Sequence, residues 1–202
     1  HQLHAEGIRR YGFHGLSYEY VSGRLAEIAP EHGGKRIVIA HLGNGASLCA
    51  VQGARSIAST MGFTAVDGLV MGTRSGDVDP GALDYVGQRT GLDLAGVVAA
   101  LTHESGLLGL SGRSNDMRAV VEAAQAGDED AVLAVDVFSY RAAKAVCAMA
   151  TALDRVDAVV LSGGTIVADG STYDVLTDDA LMRAHRLELP FGFDPRTAMP
   201  RP

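Results

Sequence analysis

Apolar positions along the 202 residues change their spacing in a regular way. Across residues 17–28, Tyr18, Val21, Leu25 and Ile28 recur at helical spacing behind Ser17 as N-cap. Pro30 and the pair Gly33-Gly34 end that helix. The period then shortens. Residues 36–40 and 46–52 are short β-branched or apolar runs that predict two strands, with HLGNG between them as a tight hairpin, and residues 55–60 predict a third strand. Residues 61–79 are glycine-rich and irregular. Asp79-Pro80 reads as a cap followed by a first-turn proline, opening a helix to about Arg89. Leu94, Val97, Val98 and Leu101 predict another helix over 93–102. SGLLGLSGRSND reads as a loop whose Asn115 or Asp116 caps the next helix. The longest helix is expected over 128–153, with Leu133, Val137, Tyr140, Lys144, Cys147 and Thr151 as one stripe and acidic residues in its first turn. Residues 156–161 form a last strand that opens onto Gly163-Gly164. This order of elements fits an α/β domain with a mixed sheet and flanking helices.

Composition narrows the chemistry. A formal charge of −7 argues against a general nucleic-acid or anionic-membrane binder. Any phosphate chemistry must therefore come from local geometry. The 25 glycines gather in short groups among Leu, Val and Met, which marks turns where backbone passes close to something rather than a flexible linker. Cys49 and Cys147 lie far apart in apolar segments and read as two buried thiols of a reducing compartment, without zinc-type spacing. The first residues do not resemble a signal peptide, and no apolar run reaches membrane-spanning length, so a cytoplasmic protein is expected. A start at His1 rather than Met suggests a piece of a longer protein.

Four segments carry candidate chemistry, and each has a plainer alternative. In HLGNG (41–45), Gly43 and Gly45 let backbone amides approach an anion, but an ordinary Asn-Gly hairpin turn reads the same way. In GTRSGDVDP (72–80), Arg74 braces a phosphoryl charge or pairs with a neighbouring Asp to hold the loop. His14 and His103 are each catalytic or merely structural. SGRSNDMR (111–118) offers polar side chains to a ribose or base, or simply caps a helix. The GxxxxGK[ST] loop is absent, so a P-loop site is not supported.

Taken together, RRYGFHGLSYEYVS, HLGNGASLCAV, STMGFTAVDGLVMGTRSGDVDPG and ESGLLGLSGRSNDMR resemble the acetate kinase family, in its order and close to its spacing, from about Ile8 to Asp157. The resemblance implies an incomplete ribonuclease H-like (actin-like ATPase) domain over 1–164. It further implies phosphoryl transfer between ATP and acetate, giving acetyl phosphate and ADP, with magnesium. By motif, it makes His14 and Arg74 transition-state stabilisers. His41, Leu42, Gly43, Asn44 and Gly45 become the phosphate hairpin, Asp116, Met117 and Arg118 the adenosine-contacting segment, and Gly163 and Gly164 the start of the last nucleotide loop. It also implies a homodimer. A propionate or butyrate kinase, or a non-catalytic nucleotide-binding or dimerising module, are the alternatives.

Three departures qualify the resemblance. The family's N-terminal domain, with its phosphate loop, acyl-binding Arg and catalytic Asp, has no counterpart here. FHGLSY stands in place of the family's FHGTSH, so Leu16 and Tyr18 are expected to remove two polar groups near His14. After Gly164 the family's magnesium-linked Glu is missing, and no metal ligand is assigned. Residues 165–202 instead resemble the end of an ABC-type ATPase subunit of the cobalt or energy-coupling kind, expected as a strand plus a short helix.

Overall fold

Two apolar runs joined by a glycine turn set the centre of the fold. The structure, a computed structural model, describes residues 2–163. The expected loop residue Gly164 and the 165–202 segment lie outside the described residues. A short helix α1 (Gln2–Ala5) and α2 (Gly15–Ile28) precede a 3-10 turn at Pro30–His32. Strands β1 (Arg36–Leu42), β2 (Ala46–Gln52) and β3 (Arg55–Ser59) follow, then helices α3 (Pro80–Thr90), α4 (Leu94–His103), α5 (Gly106–Ser111), α6 (Met117–Gln125) and α7 (Glu129–Ala150), and finally β4 (Ala158–Ser162). The strands form one mixed sheet in the order β3-β2-β1-β4. β1 and β2 run antiparallel from Arg36↔Gln52 to Leu42↔Ala46. β4 lies parallel to β1, from Ile37↔Ala158 to His41↔Ser162. The ends of β1 and β4 therefore reach the same edge as the 41–45 hairpin.

Period-two alternation sends β1 to two cores. Ile37 and Ile39, with Cys49, Val51 and Val160, meet Tyr18, Val21 and Leu25 of α2 on one face. Val38 and Ala40, with Leu48 and Ala50, meet Met61, Leu69 and Met71 on the other, where Ala145, Val146 and Met149 of α7 also pack. Each fully buried Val, Leu or Ile contributes about 1.5–3 kcal/mol, so the sheet is clamped from both sides. Asp157 fixes the entry to β4. Its carboxylate accepts from Arg36 N at 3.0 Å and from Arg155 Nε at 2.8 Å, and its own N–H donates to Arg36 O at 2.8 Å.

Asp79, Asp93, Asp116 and Asp128 cap α3, α4, α6 and α7 by accepting a backbone N–H, as the sequence suggests at Asp79 and Asp116. Four expectations are corrected. Ser17 is not the cap of α2: the helix starts at Gly15, with His14 at the N-cap position. The supposed loop 105–116 contains α5, whose first N–H groups are taken by the Met71 and Gly72 carbonyls of the glycine-rich 61–79 loop. The stripe Leu133, Tyr140, Cys147 is real but faces outward, with Tyr140 62% exposed, whereas Ala131 and Ala134 are buried. Small residues let α7 approach α5 and α6 closely, so the alanines take the inner face. Cys147 is accordingly exposed, and only Cys49 is a buried thiol. No helix among the described residues is long and apolar enough to cross a membrane.

Candidate active site

Five of the residues singled out by sequence, His14, His41, Asn44, Gly45 and Arg74, lie together at the β1–β2 turn. His14 sits at the head of α2 with φ 61°, a left-handed conformation that is uncommon for a residue with a side chain. That turn sends its ring back over the sheet edge. His41 is the penultimate residue of β1, and the two imidazoles stack with centroids 4.1 Å apart and planes at 26°. Each Nδ1 is held by a serine of another element. His14 Nδ1 lies 2.8 Å from Ser47 Oγ of β2, and His41 Nδ1 lies 2.9 Å from Ser17 Oγ of α2. Ser17 is thus spent on His41 rather than on a cap.

Both Nε2 atoms then face the glycines of the turn. A Cβ at Gly43 would sit 3.2 Å from His41 Nε2; one at Gly45 would sit 3.3 Å from His14 Nε2 and 3.0 Å from Arg74 Nη1. Only glycine leaves the backbone open at these two points. Asn44 ties the turn to its surroundings. Its carbonyl accepts from Gly72 N at 2.9 Å, and its Oδ1 accepts from Asn115 Nδ2 at 3.0 Å.

Arg74 is carried on a loop gripped by α4 and α5. Ser75 N donates to Leu101 O at 2.9 Å, Ser105 N to Thr73 O at 2.9 Å, Leu107 N to Met71 O at 2.8 Å and Leu108 N to Gly72 O at 3.0 Å. The alternative of a loop-holding Arg–Asp pair does not hold. Asp77 accepts from Gly68 N at 2.8 Å and lies 3.7 Å from Arg141, and Asp79 caps α3. Arg74 Nη1 donates to Ala65 O at 3.3 Å, and no carboxylate pairs with Arg74 among the described residues. A guanidinium with no carboxylate partner among the described residues, sharing Gly45 with His14 Nε2, presents donors whose geometry matches phosphate oxygens.

Through Asn44–Asn115 the head of α6 adjoins this group. Asp116 caps the helix by accepting from Arg118 N at 3.0 Å, and the Arg118 side chain is open to solvent, 3.6 Å from Asp116. The Met117 side chain packs into the small core between α5, α6 and α7, against Val120 and Ala134. Gly163 lies beside the end of β1, where a Cβ would stand 3.6 Å from Leu42 O. Leu42 itself is half-buried against the α7 side of the sheet. His103 ends α4, exposed, and takes no part in the group. The structure also corrects the expectation for FHGLSY. Leu16 is 85% exposed, but Tyr18 adds a hydroxyl, which hydrogen-bonds Ser47 Oγ. Ser47 and Asn115 were the polar partners that sequence reasoning missed. The signal for Ser47 was a lone hydroxyl inside an otherwise apolar strand.

Burial lowers the pKa of both imidazoles, and for His14 the positive neighbours His41 and Arg74 lower it further. The neutral rings are the folded form. Each ring takes a proton less readily folded than unfolded, so the unfolded chain binds more protons as pH falls through about 6.5. This contribution to stability is present above that pH and is lost below it. The stability advantage of the unmodified chain over His14→Gln, from urea midpoints, is therefore expected to shrink between pH 7.5 and 5.5. An advantage that grows on acidification would contradict these environments.

Among the described residues no three His, Cys, Asp or Glu side chains converge to hold a metal ion. The donors of this group suit an anion, so they do not themselves form a magnesium site.

A family model described as the acetokinase family matches residues 1–176. An acetate kinase of Deinococcus radiodurans is 48% identical over 196 residues, covering 96% of this chain and 48% of that protein. The crystal structure of Porphyromonas gingivalis acetate kinase aligns with a TM-score of 0.78 at 42% identity, covering 90% of this chain and 46% of the other. A propionate kinase from Francisella tularensis aligns with a TM-score of 0.76 at 38% identity and the same two coverages. These neighbours share the α/β, actin-like ATPase fold that the sequence led us to expect. None of these likenesses supports the resemblance of the stretch after Gly164 to an ABC-type ATPase subunit. The chain spans about half the length of the relatives it matches.

Proposed function

The chain belongs to the acetokinase family, and we propose that it is the nucleotide-binding part of an acetate kinase, which transfers a phosphoryl group between ATP and acetate. The observation that carries this reading is Arg74, which lacks a carboxylate partner among the described residues and stands with His14 Nε2 over Gly45 of the hairpin. Phosphoryl transfer asks little covalent chemistry of a protein. It needs donors fixed around the transferring group, because charge spreads onto its outer oxygens in the transition state. In this reading Arg74 and His14 donate to those oxygens. The backbone of His41, Leu42, Gly43, Asn44 and Gly45 cradles the nucleotide phosphates. Asp116, Met117 and Arg118 border the adenosine, with Met117 contributing main chain because its side chain is in the core. Gly163 borders the far side, beside the end of β1. Magnesium would travel on the nucleotide's own phosphates.

The acyl side of the cleft is assigned to the half of the relatives that this chain does not span, since transfer requires donor and acceptor to be positioned together. The experiment joins that half of the Deinococcus relative to this chain and follows ATP formation from acetyl phosphate and Mg-ADP. Steady ATP production is expected. A folded joined protein that binds ADP yet makes no ATP would count against the reading. Because the Francisella propionate kinase aligns nearly as well, with a TM-score of 0.76 against 0.78, propionyl phosphate is run beside acetyl phosphate. A preference for the longer acyl group would select that second reading.

A homodimer is also proposed. The outward stripe of α7, with Leu133 51% and Tyr140 62% exposed, supports an apolar contact between two copies. Sedimentation equilibrium is expected to give a discrete dimer, weakened in Tyr140→Glu. A monomer at all concentrations would dismiss it.

A further inference from the structure

Behind His14 lies a chain of hydroxyls that the proposed chemistry does not use. Tyr18 Oη meets Ser47 Oγ, and Ser47 Oγ lies 2.8 Å from His14 Nδ1. Ser47 is fully buried and Tyr18 nearly so. Among the described residues neither hydroxyl has a side-chain partner outside this chain. We propose that Tyr18 and Ser47 are positioning residues that hold His14 as the neutral tautomer with its proton on Nε2, the nitrogen facing Gly45 and Arg74.

Proton counting gives the direction. A buried hydroxyl hydrogen needs an acceptor, and leaving one unmet costs about 1–3 kcal/mol. If Nδ1 carried the proton and donated it to Ser47 Oγ, the serine proton would have to go to Tyr18 or nowhere. In the first case the tyrosine proton is orphaned; in the second the serine proton is. Only one order satisfies all three groups: Tyr18 donates to Ser47, Ser47 donates to Nδ1, and the imidazole proton sits on Nε2. Burial keeps Tyr18 protonated and available as the terminal donor, because it disfavours the phenolate. The imidazolium form is excluded by the same count, since its Nδ1–H would displace the serine proton. His41 and Arg74, the other charged or titratable groups facing His14, disfavour that form too. What the hydroxyl chain supplies is a single N–H donor of fixed direction at the mouth of the hairpin, preset before any ligand arrives.

This inference deepens the phosphoryl-transfer reading and rests on it for its meaning, but its test does not need catalysis. The full chain is labelled with 15N-histidine, and long-range proton–nitrogen spectra assign the tautomer of His14 without ligand. The unmodified chain is expected to show Nε2–H, and this single spectrum decides the matter even if a variant fails to fold. A dominant Nδ1–H signal overturns the proposal. In folded Ser47→Ala the preference is expected to be lost, giving mixed tautomers. In folded Tyr18→Phe the serine loses the donation that polarises its own O–H, so it becomes a weaker donor to Nδ1, and the His14 titration is expected to move up in pH. An unchanged tautomer in the first variant, or an unchanged titration in the second, also overturns it. Mg-ADP is then added. If it leaves the His14 signals unmoved while the tautomer is as assigned, the phosphoryl-transfer reading fails and the hydroxyl chain stands.

Discussion

Arg74→Ala, placed in the joined two-half protein, is expected to lower turnover about 100- to 1,000-fold, the loss typical of removing one preset donor to transition-state charge. Stability should change little. The guanidinium holds one carbonyl at 3.3 Å and touches Met71 Sδ at 3.8 Å. With no carboxylate bound to it among the described residues, its removal strands no buried counter-charge. Arg74→Lys should recover only a small part of the rate, because a point charge replaces a planar fork. Affinity for ADP should fall much less than turnover if the guanidinium acts chiefly on the transferring group. Turnover within threefold of the unmodified protein would remove Arg74 from the mechanism.

Gly106→Ala is expected to cost about 3 kcal/mol or more, because it adds two separate penalties. The residue has φ +62°, and a Cβ there would stand 2.8 Å from Arg74 O and 3.0 Å from Gly72 O, and closer still to Met71 O. These are backbone atoms of the loop that carries the guanidinium, so they cannot swing aside as a flexible side chain would. Gly112→Ala is the internal comparison. It has a similar φ, +59°, but nothing within 4 Å of its Cβ, and should cost about 1 kcal/mol. Urea midpoints of the two variants separate steric conflict from backbone preference. Gly106→Ala should also weaken nucleotide binding, since the strain falls on Met71, Gly72 and Arg74. Equal midpoints for the two would mean that the loop is not gripped as described.

The sheet and its hairpin were readable because their residues obey local rules. Ile37 and Ile39 alternate with Val38 and Ala40, and Asn-Gly sits where the turn is. The helix caps at Asp79 and Asp116 were readable for the same reason. Elements fixed by tertiary contact were not. Gly106, Gly109 and two serines argue against a helix at α5, yet carbonyls of the Arg74 loop take its first N–H groups and hold it. In α7 the large apolar side chains gave the visible stripe, while close packing put Ala131 and Ala134 inside. In the site, His14, His41, Asn44, Gly45 and Arg74 lie together around the turn. The serines behind the imidazoles are chemically ordinary, and only geometry shows that Ser17 serves His41 and Ser47 serves His14.

Calorimetric titration of the purified chain with Mg-ADP, beside its Arg118→Ala variant, tests the central claim most directly. The account predicts saturable binding with one site per chain, weaker in the variant, whose guanidinium borders the proposed adenosine position. Absence of binding by a chain that is folded by its amide spectrum would contradict the assignment of this hairpin, with His14 and Arg74, as a nucleotide-phosphate site.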